Sequence, residues 1–264
     1  MPIQPADLAR DLFNRLERVA HQGVLGIPDE LELRRLELKA NALLKSDRVR
    51  AHQILGGIAA IRWDVDGLRH HHDIGLESER PSAYANYATS LQLVGLFPDA
   101  MKHMETASRK QPQNLTYLRT AADYALWAGF PNKSMELEVE LKKRSPDKVR
   151  DDAGAVKGLL EVMDRNGVDE KDLRSVLATA FDLLRVERIR FPHIGLSVDG
   201  EQDAAFITIF IDRPVKDVLK LDSDLGRLLA EQLPDLSSAV IVQLEPHNNR
   251  MTTRVDDGQA ARPT

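Results

Sequence analysis

Through the first 150 residues the apolar positions recur with a helical period. Leu8, Leu12, Phe13, Leu16 and Val19 fall on one side of a helix over 6–19. Pro28 is suited to the first turn of a second helix, with Asp29 and Glu30 near its positive end and Leu36, Ala40, Leu43 and Leu44 on its apolar side. Asp47 is the expected N-cap of a third, running to about Arg62. Gly56-Gly57 inside that helix costs roughly 1 kcal/mol per glycine relative to alanine, so close helix packing or a kink is expected there. A fourth helix is expected over about 66–76.

Beyond Pro146, helices are expected over 153–163 and from Asp169, whose Asp172 three residues on forms a capping box ahead of Leu173, Leu177, Phe181 and Leu184. The period then drops towards two. Ile194, Leu196 and Val198 alternate with Gly195 and Ser197, and Asp199-Gly200 marks a turn. Residues 205–211 are apolar on both faces, as in a central strand, and Pro192 places the preceding strand at an edge or bulge. Pro214 opens a helix, 238–244 reads as a last strand, and the polar residues from His247 on read as a disordered tail. The expected class is α+β: a helical array over 1–165, a small helix–strand–strand–helix–strand unit over 166–248 and a tail over 249–264.

An internal period runs through the middle of the chain. Gly95 and Gly129 are 34 residues apart, as are Pro112 and Pro146, and Met101 and Met135. Each glycine is followed closely by Phe-Pro: Phe97-Pro98 and Phe130-Pro131. Physically this is a helix, a tight turn at glycine, a second helix opened by proline, and a stop at the next proline. With Tyr84, Tyr87, Ala88, Leu91, Gly95, Ala100, Met104, Ala107 and Pro112 in place, residues 81–114 resemble a tetratricopeptide repeat. Residues 115–148 keep Leu118, Ala121, Ala122, Ala125, Gly129, Ser134, Leu141 and Pro146 but carry Glu138 where the family has a large apolar residue. An upstream unit over 49–80 is more degenerate and lacks the turn glycine and final proline.

The resemblance implies stacked helix pairs with a concave face lined by the first helix of each pair, and protein recognition as the task. The residues it turns to that face are Ser82, Ala85, Asn86, Thr89, Gln92 and Leu93 in one unit, and Thr116, Arg119, Thr120, Asp123, Leu126 and Trp127 in the next. Of these, Asn86, Thr89, Gln92, Arg119, Asp123 and Trp127 are the candidate binding residues. An amide, a guanidinium, a carboxylate and an indole are suited to gripping an extended peptide. Leu126 and Trp127 could equally pack on the following helix near Val156 and Leu160. Some grooves of this family hold a C-terminal carboxylate through several basic residues, but Asn86 and Arg119 here lack that wider set.

Composition narrows the alternatives. The chain has no cysteine, which excludes disulfides, thiolate metal sites and a cysteine nucleophile. Residues 1–150 hold 22 Lys+Arg against 20 Asp+Glu, and residues 151–264 hold 14 against 21, so a phosphate-backbone binder is not expected in the second half. Neither a membrane-length apolar run nor a signal peptide is present, and a cytoplasmic setting is expected. No nucleophile elbow, phosphate-cradling loop or dinucleotide fingerprint occurs, so neither catalysis nor a cofactor is expected.

His70-His71-His72-Asp73 could suggest a metal site, with His52 as a further ligand. Consecutive helical residues diverge by about 100°, however, so the expectation is no metal, with His71 packed between helices and His70 and His72 solvated. A protein or peptide partner is the leading expectation, with homo-oligomerisation possible and neither membrane nor nucleic acid. The alternative assigns the task to the α+β unit, as a dimerising or antidote-type module scaffolded by the repeats.

Overall fold

The computed structural model describes residues 4–24, 28–145, 153–235 and 237–247. The stop expected at Pro146 and the tail after 248 lie outside these. Among the described residues ten α-helices come first: α1 Pro5–Val24, α2 Glu30–Leu43, α3 Arg48–Ile61, α4 Val65–Gly75, α5 Pro81–Leu93, α6 Phe97–Lys110, α7 Leu115–Trp127, α8 Pro131–Arg144, α9 Ala153–Arg165 and α10 Glu170–Val186. Strands β1 His193–Asp199 and β2 Ala204–Ile211, helix α11 Val215–Gln232 and strand β3 Val240–Pro246 complete the described chain. The class is α+β, in the expected element order.

Local chemistry sets these bounds. Pro28 precedes α2 instead of lying in its first turn, and Asp29 caps the helix, accepting from the Glu32 amide; Asp47 and Asp64 cap α3 and α4 in the same way. Asp169 and Asp172 form the reciprocal capping box of α10. Pro81, Pro98 and Pro131 lie in the first turns of α5, α6 and α8, where no intrahelical donor is lost.

Helices α3–α4, α5–α6 and α7–α8 form three successive hairpins, each packed on the next, so this part of the chain is built like a helical repeat array. Their turns are alike. Gly95 (φ 74°) and Gly129 (φ 79°) take the left-handed conformation two residues past α5 and α7, and the Leu96 and Phe130 amides donate back to the carbonyls of Leu91 and Ala125. In the upstream unit Trp63 takes this place at φ 61°, with the Asp64 amide donating to Ala59. The turn is conserved in shape though its glycine is replaced, and the spacing from 63 to 95 is 32 residues rather than 34.

Helix α10 runs along the edge formed by these turns. A Cβ on Gly129 would come within 2.7 Å of the Arg174 Cα, and one on Gly95 within 3.3 Å of the Phe181 Cβ. Past the end of α10, Arg190 donates to the Ile61 carbonyl and its guanidinium lies 5.0 Å from the centre of the Trp63 ring. One segment, 174–190, thus touches the turns of all three hairpins in reverse order.

The sheet has the order β1-β2-β3, with β2 central as expected. β1 pairs antiparallel with β2, and β3 pairs parallel to it after the α11 crossover. Ile194, Ala205, Ile207, Ile209, Ile211, Val240, Val242 and Leu244 line a buried face, against which α9, α10 and α11 pack. A single apolar core runs from Ala59 to Leu244 through the hairpins, α9, α10 and the sheet. A second joins α1, α2 and α3 around Leu12, Leu36, Ala40 and Ile54.

Candidate functional site

The six candidate groove residues line two cavities. The first, about 470 Å³, lies between α1, α3, α4 and α5. Asn86 and Thr89 reach it from α5, Gln53 and Gly57 from α3, and Phe13 and Leu16 from α1. The Asn86 amide donates to the Gln53 side chain at 3.3 Å, and the Thr89 hydroxyl is bonded to its own helix and to Tyr124 of the next hairpin. Burial pushes the Tyr124 phenol up to about 12, so it remains a hydrogen-bonding neutral group.

The second cavity, about 370 Å³, is lined by Gln92, Arg119, Asp123 and Trp127, with Phe191 and Pro192 of the strap and His193 and Ile194 at the start of β1 facing them. The array therefore does not present one continuous open groove. Its third hairpin, through α7, looks onto the protein's own chain, and α1 walls the first cavity. Neither contact is local in sequence, so residue spacing carried no sign of either. Two of the wider set expected on this face, Ala85 and Leu126, are buried in the core, while Trp127 is half-buried at the cavity.

The floor of the first cavity holds a histidine whose place differs from the one expected. His72, not His71, is packed between helices: it is 1% exposed, whereas His70 is exposed and His71 half-buried. His72 stacks on Tyr87 (ring centres 4.7 Å apart), and its Nε2 lies 2.8 Å from the Ser90 hydroxyl. Burial, with His103 and His71 nearby, drives its pKa down to about 3, so the ring is neutral. The reason for the reversal is Gly56. The glycine opens a slot in α3 that receives the next helix's imidazole, and only His72 faces it.

His52 and His71 are joined Nδ1 to Nδ1 at 2.9 Å, one ring donating and the other accepting, with His70 alongside at 5.1 Å from His71. Burial lowers the pKa of both His52 and His71. Among the described residues, no group of three or more His, Asp or Glu side chains is arranged to hold a metal ion. Nor is any described helix long and apolar enough to cross a membrane.

Asp222 accepts from the Leu244 amide at 2.8 Å and tethers α11 to the outer edge of β3. No protein-family model matches the chain, and no curated protein and no solved structure is similar to it at a significant level.

Proposed function

We propose that the protein is a tetratricopeptide-type interaction protein that holds a segment of a partner protein on the inner face of its helical array. The carrying observation is that all six candidate residues line cavities: Asn86 and Thr89 the first, Gln92, Arg119, Asp123 and Trp127 the second. The chemistry suits a peptide. Asn86 and Gln53 offer amides that can match a main chain, Leu16 and Ile61 offer an apolar floor, and Trp127 offers an amphipathic ring beside a guanidinium and a carboxylate. An adaptor or chaperone-like role in the cytoplasm follows from this reading.

The test is to pan a peptide display library on the immobilised full chain and to titrate the enriched peptides by fluorescence anisotropy. Asn86→Ala with Arg119→Ala is expected to weaken binding by about tenfold or more, the effect of losing more than about 1.4 kcal/mol of contact. No enrichment, or affinities indifferent to the double variant, would remove the assignment.

A further inference from the structure

The backbone of β1 has one edge in the sheet and one edge without a described partner. The Ala205 amide donates to the Ala239 carbonyl, and the Ile211 carbonyl accepts from the His247 amide, so the odd residues of β2 bond towards β3. Its even residues therefore bond towards β1, where they face His193, Gly195, Ser197 and Asp199. The amides and carbonyls of Ile194, Leu196 and Val198 consequently point outward, and among the described residues no backbone hydrogen bond reaches them. The other outer edge of the sheet is treated differently, since Asp222 binds the outward Leu244 amide. An unblocked edge strand is a template for another strand.

We infer that this edge pairs with the same edge of a second copy of the chain, β1 against β1 in antiparallel register about Leu196, to form a continuous six-stranded sheet. The sequence of the strand, His-Ile-Gly-Leu-Ser-Val-Asp, is complementary to itself in that register. Numbers in a pair sum to twice 196. His193 therefore lies opposite Asp199 of the other copy at each end, an attractive pair made twice. Gly195 lies opposite Ser197, two small residues on the solvent side. Ile194 meets Val198, and Leu196 meets itself, on the face that the helices cover.

Hydrogen-bond parity agrees. The outward residues 194, 196 and 198 pair only with one another, so every outward amide and carbonyl among them finds a partner. Leu196 and Val198 are only half-buried in the single chain, and the added strand would cover them. On the solvent face the Phe210 ring stacks on His193 and leans over Gly195, 3.4 Å from where a Cβ there would be, and so extends apolar surface towards the new strand. Pro192, without an amide, limits the pairing at one end.

The test uses the full chain and three variants. Sedimentation velocity over a dilution series should show a dimer that dissociates on dilution. Because the chain has no cysteine, Leu196→Cys reports alone: in this register the two Cα atoms lie about 5.5 Å apart, within disulfide range. It should cross-link under mild oxidation far faster than Val215→Cys, an exposed position on α11. Asp199→Asn keeps the oxygen that accepts from the Glu201 and Gln202 amides but removes the charge, and should weaken the dimer by about threefold to tenfold through its two lost pairs. A chain that is monomeric at every concentration overturns the inference. So does a dimer in which Leu196→Cys cross-links no faster than Val215→Cys. Loss of peptide binding in the array would leave this result untouched, so the two proposals fail separately.

Discussion

The imidazole of His72 occupies the space that a side chain on Gly56 would need: a Cβ there would lie 2.5 Å from the ring. The ring cannot easily retreat, because Tyr87 stacks on it and Ser90 bonds it. Gly56→Ala gains roughly 1 kcal/mol of helix propensity but overpacks this slot, and a net destabilisation of about 1–2 kcal/mol is expected. Gly57→Ala meets only a terminal methyl of Leu16, which can rotate away, and should be close to neutral. Urea unfolding of the two variants checks the contrast; equal effects would contradict the slot.

The same burial makes stability depend on pH. His72 has a pKa near 3 in the folded chain against about 6.5 unfolded, so the unfolded chain binds a proton that the folded one refuses. Its contribution is complete above pH 6.5 and is lost as the pH falls towards 3, at up to about 1.4 kcal/mol per pH unit. His52, His71 and His103, also lowered by burial, act in the same direction. Unfolding free energy should thus fall between pH 6.5 and 4.5. His72→Gln should have a shallower slope by about one proton, whatever its stability at neutral pH.

Gly95 and Gly129 share a left-handed backbone, but their surroundings differ. A side chain at 95 meets the Phe181 side chain at 3.3 Å, while one at 129 meets the Cα and amide of Arg174 at 2.7 and 2.9 Å. Alanine at either position carries the cost of a positive φ, about 1–2 kcal/mol. Gly129→Ala must also displace the backbone of α10 and is expected to be the more destabilising by a further 1 kcal/mol or so. Thermal denaturation of both variants measures the difference.

Arg190 is 9% exposed, and burial pulls its pKa down to about 10. It is held at the Ile61 carbonyl and over the Trp63 ring. Arg190→Met fills the volume without the hydrogen bond or the cation, and should cost about 2 kcal/mol while freeing the strap near Trp63. A red shift in tryptophan emission, absent when Trp63→Phe is combined with it, would locate the change. Unchanged emission and stability would show that the strap does not depend on this anchor.

Much of the array was legible because its devices are local. A 34-residue spacing, Gly95 and Gly129, and prolines in first turns dictate hairpins whatever surrounds them. The upstream hairpin was harder to read because Trp63 holds the left-handed turn in place of glycine, and its spacing is two residues shorter. The first strand also followed from alternation, and the central place of β2 from an apolar run that shows no polar face. Contacts between distant segments did not. Nothing in the spacing of Asn86 or Arg119 signals that α1 walls one cavity and that Phe191 to Ile194 face the other. Likewise, the identity of the buried histidine depended on which of three neighbours faces Gly56, a rotation that periodicity leaves open by one residue.

The strip from Arg174 to Arg190 acts as a ruler for the array. Arg174 and Phe181 mark two successive turns and lie seven residues apart, about 10 Å along a helix. Arg190 marks the third. Repeat arrays usually gain or lose a unit without penalty elsewhere, since each unit touches only its neighbours. Here a duplicated or deleted hairpin would put every later turn out of step with α10. The array is fixed at its present length by a helix that lies outside it.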